Sequence, residues 1–181
     1  MIRILGIDPS TNHIGISVLT VNSIDFEIVD IKTFAIDLTH IENINKMNTN
    51  QYYRLNNLSL ILRNVICDVM PHIVGYEAPF IDKFKMSSAI PLGESIMCIE
   101  EAIYNYDKNM TVAKYSPHNV KNAVGAKAGV NKVDVLTAIN KLDFITKLID
   151  PNIITDHEVD ATAIALAVLK DIKLNPSLLF R

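Results

Sequence analysis

A run of alanine and branched apolar residues near the C-terminus, Ala161-Thr162-Ala163-Ile164-Ala165-Leu166-Ala167-Val168-Leu169, does most to limit what this chain can fold into. These are good helix formers, and Thr155 with Glu158 just ahead of them has the spacing of a capping box. The pattern predicts a helix that begins near Thr155 and buries the stripe Ile164 and Val168. Residues three or four apart share a helical face, so Asp156, His157 and Asp160 project together from its first turn. Three potential metal ligands then stand at the end of a buried rod. Acids also favour the positive N-terminus of any helix, and the helix alone does not separate the two readings.

Upstream, Ile2, Ile4 and Leu5-Gly6-Ile7 read as a buried strand that ends at Asp8, with Pro9-Ser10-Thr11-Asn12 as a turn. Ile14, Ile16 and Val18 alternate as a second strand, and Phe26, Ile28 and Ile31 as a third, making an antiparallel meander. The polar, Asn-rich stretch from Asp37 to Gln51 is expected as a loop turning helical toward its end. Leu55, Leu58, Leu62, Val65 and Val69 then keep helical spacing until Pro71. Ile73-Val74-Gly75-Tyr76-Glu77 is a short buried strand with Glu77 at its end. Ile81 to Ser87 is expected as an exposed loop, followed by a helix from Ile90 to Tyr106 with Pro91 in its first turn. Thr111 to Tyr115 is a fifth strand. Ser116-Pro117 starts a short helix through Val124, Gly125 to Gly129 is a connection, and Asn131 caps another helix through Leu142. A meander joined to β-α-β units predicts an α/β fold with a five-stranded mixed sheet and helices on both faces. Asp8 and Glu77 converge if their strands are neighbours.

At 181 residues and 49% apolar content the chain suits a single domain over 1–181 with a substantial core. No signal-peptide pattern or membrane-length apolar run is present, so a cytoplasmic protein is expected, from a bacterial cell or a virus-infected host. Cys67 and Cys98 lack ligand spacing and are expected to be buried free thiols. The net charge of -3 excludes a uniformly basic nucleic-acid binder, yet Lys108, Lys114, Lys121, Lys127 and Lys132 fall in a stretch with a single acid, Asp134. Such a basic segment is a solvated face unless a phosphate-handling site lies near it.

Several carboxylates in one place raise one another's pKa unless a cation neutralises them. Mg²⁺ takes carboxylate oxygens and water, and keeps positions for phosphate oxygens. Two such ions about 4 Å apart can activate water and stabilise the leaving oxygen in attack on a phosphodiester. Imidazole suits Mn²⁺ better, so His157 either ligates the metal or orients and deprotonates the water.

Gly6-Ile7-Asp8-Pro9-Ser10, Tyr76-Glu77-Ala78-Pro79-Phe80, Tyr115-Ser116-Pro117-His118-Asn119-Val120-Lys121 and Asp156-His157-Glu158-Val159-Asp160-Ala161, in that order, resemble the RuvC family of Holliday-junction resolvases. The resemblance covers essentially the whole chain. It implies an RNase H-like fold, a divalent-metal endonuclease of DNA recombination and repair, a four-way or branched DNA substrate, and a homodimer that nicks two opposing strands. Mg²⁺, with Mn²⁺ able to substitute, is implied as two ions per site. Asp8, Glu77, His157 and Asp160 match the family's catalytic set, all four as metal ligands with Asp156 substituting or assisting. Phe80 matches an aromatic resembling a wedge against an unpaired base. Lys121 and Lys132 match two DNA-contacting lysines, and Lys83, Lys85, Lys114 and Lys127 complete the candidate DNA-binding set. Ser10 departs from the family's usual glycine, and Leu92-Gly93-Glu94-Ser95-Ile96 departs from its basic, glycine-containing run.

Three other readings compete. Gly6 to Asn12 also looks like the phosphate loop of actin-like and sugar-kinase-type ATPases, which need a second such loop that this chain lacks. A junction-binding protein without cleavage activity would lose the acids. A nuclease of the same fold could act on flapped, forked or RNA-containing DNA.

Overall fold

The computed structural model describes residues 1–41, 49–79, 86–125, 135, 137–139, 148 and 154–179. Five strands form one sheet: β1 (Ile2–Asp8), β2 (His13–Val21), β3 (Ile28–Asp37), β4 (Ile73–Glu77) and β5 (Thr111–Tyr115). The described helices are α1 (Asn50–Val69), α2 (Met86–Tyr106), α3 (Pro117–Ala123) and α4 (Asp156–Leu174), with a 3₁₀ turn at Pro176–Leu179. Sheet order is β3-β2-β1-β4-β5. β1, β2 and β3 are the antiparallel meander, while β4 and β5 run parallel to β1, so the expected mixed sheet is what forms.

Strand alternation divides the core. Ile4 and Ile73 face α4, whereas Leu5, Ile7, Val74 and Tyr76 face α1 and α2. β1 and β4 are covered on both sides, which explains their nearly continuous apolar sequence. α4 is buried along most of its length, including Ile164 and Val168. Small residues let it lie close: a Cβ on Gly6 would overlap the backbone at Ala161 and Ala165. α1 packs through Leu58, Leu62 and Ile66, begins at the Thr49 cap and ends at Met70, just before Pro71.

Several local expectations change. The third strand begins at Ile28, because Phe26 takes a left-handed φ of 58° inside the turn closed by Asn22 and Glu27. α2 starts at Met86, earlier than Ile90, which puts Pro91 past the first turn. Proline's φ suits a helix, so the chain gives up one amide bond near the helix start and continues. Cys67 is exposed and Cys98 half-buried, so neither is the fully buried thiol expected. Cys67 lies off the Leu58–Leu62–Ile66 stripe, which accounts for its exposure. The connection at Gly125–Gly129 and the helix from Asn131 fall largely outside the described residues. Val135 and Ile139 are buried against α4. Among the described residues no helix is long and apolar enough to cross a membrane.

Candidate functional site

The site grows from the parallel pairing of β1 and β4. Their register runs from Ile4 opposite Ile73 to Ile7 opposite Tyr76, so Asp8 and Glu77 are the next positions on neighbouring strands. Both fall at C-terminal strand ends, and alternation places both on the face of Gly6 and Gly75, against which α4 lies. Pro9 follows Asp8 without an amide to continue the ladder. After Glu77, the Ala78 amide donates to the Tyr115 carbonyl at 2.8 Å, holding this end of β4 beside β5.

α4 brings the second half of the site. Its capping box is present: the Thr155 hydroxyl accepts from the Glu158 amide, and the Glu158 carboxylate accepts from the Thr155 amide at 2.9 Å and its hydroxyl at 2.8 Å. Glu158 is thus committed to the helix start and buried, while His157 and Asp160 flank it, half-buried. Gly15, paired with Asp8 across the β1–β2 ladder, has no side chain; a Cβ there would overlap the His157 backbone. That close approach sets His157 beside Asp8, where imidazole Nδ1 and carboxylate Oδ2 are 2.7 Å apart. The two residues are 149 positions apart in sequence.

Asp8 and Glu77 thus end neighbouring strands, His157 meets Asp8, and Asp160 lies three residues further along α4; all four are half-buried. Asp156 is exposed at the first position of α4. Among the described residues no three His, Cys, Asp or Glu side chains close on a single metal-sized point. The donor chemistry nevertheless fits a hard divalent cation: carboxylate oxygens at two adjacent strand ends, with a third carboxylate and one imidazole on the facing helix, leaving coordination to water and phosphate.

Lys121 occupies the last turn of α3, the helix that Ser116 caps after β5. Lys114 is not brought to the carboxylate face. It lies on the α2 side of the sheet, paired with Glu100 at 2.5 Å and over the Tyr76 ring at 5.5 Å. Phe80, Lys83, Lys85, Lys127 and Lys132 lie outside the described residues.

Sequence reasoning missed three neighbours of the site. His13 stacks on His157, with ring centroids 5.9 Å apart and planes 12° apart. Asp37, opposite His13 in the β2–β3 ladder, approaches its Nε2 to 3.5 Å. Hydrogen bonds from Thr39 hold the Asp37 carboxyl below its usual range. Arg54 of α1 donates to the Asn12 side chain, tying down the turn after Asp8. The available signal was the hairpin register, since pairing Asp8 with Gly15 places His13 on the same face.

This sheet order, with carboxylates at the ends of β1 and β4 facing the terminal helix, defines an α/β protein of RNase H-like fold. Solved structures agree: Thermus thermophilus RuvC in complex with Holliday junction substrate superposes with a TM-score of 0.70 at 18% identity, over 97% of each chain. The yeast mitochondrial Holliday junction resolvase Ydc2 gives 0.69 at 16% identity, over 99% of this chain and 84% of that one. The chain belongs to the family described as crossover junction endodeoxyribonuclease RuvC, whose model matches residues 4–168. Relatives of that name include the protein of Pseudothermotoga lettingae, 28% identical over 162 residues and 90% of each chain. The Rickettsia bellii protein is 27% identical over 172 residues, covering 92% of this chain and 96% of its own.

Proposed function

We propose that this chain, as one RNase H-like domain over residues 1–181, is a structure-selective endodeoxyribonuclease that resolves four-way DNA junctions by paired phosphodiester hydrolysis. Membership of the RuvC family supports the activity and its dependence on a divalent metal. The observation that carries the site assignment is the contact of Asp8 with His157, two distant motifs meeting at 2.7 Å beside the strand that ends in Glu77.

Asp8, Glu77 and Asp160 would hold the cations and His157 would complete the set, with Asp156 at the margin. Bound there, Mg²⁺ or Mn²⁺, as two ions per site, would supply positive charge toward the scissile phosphate and lower the pKa of water. The chain's own contribution is orientation. With the His157 proton on Nδ1, donated to Asp8, the ring's lone pair is on Nε2, which serves as a ligand or accepts the proton of the attacking water. One P–O bond forms, one breaks, and the departing oxygen ends protonated. Lys121, Lys127 and Lys132 supply phosphate contacts, and Phe80 with Lys83 and Lys85 meets the junction beyond Glu77. Lys114 contributes through Glu100, not through DNA.

Two nicks need two sites, and a homodimer is part of the proposal. Ile90, Met97 and Tyr104 recur every seven residues along α2 and are 67%, 64% and 57% exposed, an apolar stripe suited to a second copy. The deciding experiment compares cleavage of a four-way junction, fork, flap, linear duplex and RNA–DNA hybrid with Mg²⁺, Mn²⁺ or chelator. Symmetric paired nicks on the junction alone are expected. Equal cutting of flaps or hybrids would replace the junction with another branched substrate.

A further inference from the structure

We infer that Arg54 is a phosphate-binding residue for the DNA strand at the catalytic edge, gripping a phosphate a few nucleotides from the scissile one; this rests on the nuclease reading above. Arg54 stands in the second turn of α1 and is half-buried. Its Nε donates to the Asn50 carbonyl at 3.4 Å, and a terminal nitrogen donates to the Asn12 side chain. Both partners are neutral. These contacts use two of the five N–H donors of a guanidinium, and the others meet no acceptor among the described residues.

Acids stand nearby, yet none among the described residues pairs with this charge. Glu94 of α2, which meets the same end of α1, accepts from Gln51, and Asp37 at the end of β3 faces His13 and His40. Arg63, further along α1, does have a counterion, Glu101 at 2.5 Å. A guanidinium partly withdrawn from water and balanced only by neutral acceptors is costly to keep, and an anion arriving from outside relieves that cost. Its place selects the anion. Asn12 lies in the turn between Asp8 and His13, and its carbonyl accepts from the Leu38 amide at 2.8 Å, so the turn is tied to both β3 and α1. Four residues of extended chain span at most about 14 Å, which keeps the Arg54 head within a few nucleotides' length of Asp8. A planar fork with hydrogens to spare matches two oxygens of one phosphate.

The test measures binding of the full chain to a four-way junction in chelator, over a series of salt concentrations. Arg54→Gln is expected to weaken binding roughly 10-fold and to lower the slope of log K against log salt by about 1. Arg54→Lys should hold the slope, because it keeps the charge. Asn12→Ala removes the contact within the protein and leaves the guanidinium, so it too should keep the wild-type slope. An unaltered slope in Arg54→Gln, or an equal loss in Asn12→Ala, would overturn the inference and leave Arg54 a brace for the turn. The wild type gives a reading that needs no variant to fold: its Arg54 Nε–H resonance should shift when junction DNA is added, and a resonance that stays in place refutes the contact. Binding and cleavage fail separately. A chain that binds through Arg54 yet cuts no junction would sink the nuclease reading alone, and one that cuts junctions with Arg54 indifferent to salt would sink this inference alone.

Discussion

Gly15 and His157 are in backbone contact: the absent side chain on β2 is the space that the first turn of α4 occupies. A methyl group there would overlap the His157 carbonyl and crowd the Glu158 amide, and backbone cannot step aside as a flexible side chain would. Gly15→Ala must therefore lift the start of α4 or bend β2. The expected cost is about 1–3 kcal/mol of stability, with cleavage falling more than 10-fold because Asp8 and His157 separate. Urea denaturation and a junction-cleavage assay on the same preparation check this. Unchanged values in both would mean that helix and sheet are not in contact here.

Asp8→Asn keeps the shape and an acceptor for His157 Nδ1 while removing the charge. The variant is expected to bind a synthetic four-way junction as the wild type does in the presence of chelator, and to cleave it at least about 100-fold more slowly. Gel-shift and single-turnover assays separate the two effects. Normal cutting would remove Asp8 from the site.

The parts of the site that were legible beforehand were local. The Thr155–Glu158 capping box needs only four residues, and the buried stripe of α4 only a helical period. Asp8 and Glu77 could be placed at strand ends because apolar runs stop there, but their adjacency depends on β1 pairing with β4, a contact between segments far apart in sequence. His13 escaped notice for the same reason: alone it is a polar residue at the start of a strand, and it comes beside His157 only when Gly15 is paired with Asp8 and α4 is laid across both. The start of α2 was misjudged because Pro91 reads as a first-turn residue, whereas its cost is one amide bond that a long helix tolerates.

Lys121 and Lys114 should behave differently toward DNA. Lys121→Ala is expected to reduce the slope of log K against log salt by about 1, uniformly across sequences. Lys132→Ala is expected to do the same. Lys114→Ala should leave that slope unchanged, since its ammonium is held by Glu100 on the α2 side. Junction binding titrated over a series of salt concentrations measures all three. An unchanged slope for Lys121→Ala would withdraw its phosphate contact.

The Lys114–Glu100–Tyr76 cluster also predicts a stability profile. Hydrogen bonds from Lys114 and Tyr76 hold the Glu100 carboxyl below its ordinary 4.5. Its contribution is present above that value and is lost as pH falls, when the folded state must take up the proton. Burial, aided by Glu100, pushes the Tyr76 hydroxyl up to about 12. This contribution has the opposite sign: the unfolded chain loses its proton first, so stability declines as pH rises from about 10. The urea midpoint should fall on both flanks. Glu100→Gln should flatten the acid limb, modestly because the group is partly exposed, and Tyr76→Phe the alkaline one. Profiles unaltered by both changes would separate the cluster from stability.

The exposed stripe Ile90, Met97 and Tyr104 on α2 makes the dimer testable without DNA. Three large apolar side chains at heptad spacing on one helix face are costly to leave in water and match a symmetric partner, because a two-fold axis brings the same stripe onto itself. Met97→Glu places a charge near the middle of that stripe, opposite its own copy across the axis, where the two repel and neither is solvated. Sedimentation at micromolar concentration is expected to show a dimer for the wild type and a monomer for Met97→Glu. The monomer should nick junctions singly, with the paired product lost and the first-strand rate reduced less. A variant that still sediments as a dimer would move the interface off α2, and a monomer that still makes paired nicks would detach resolution from dimerisation.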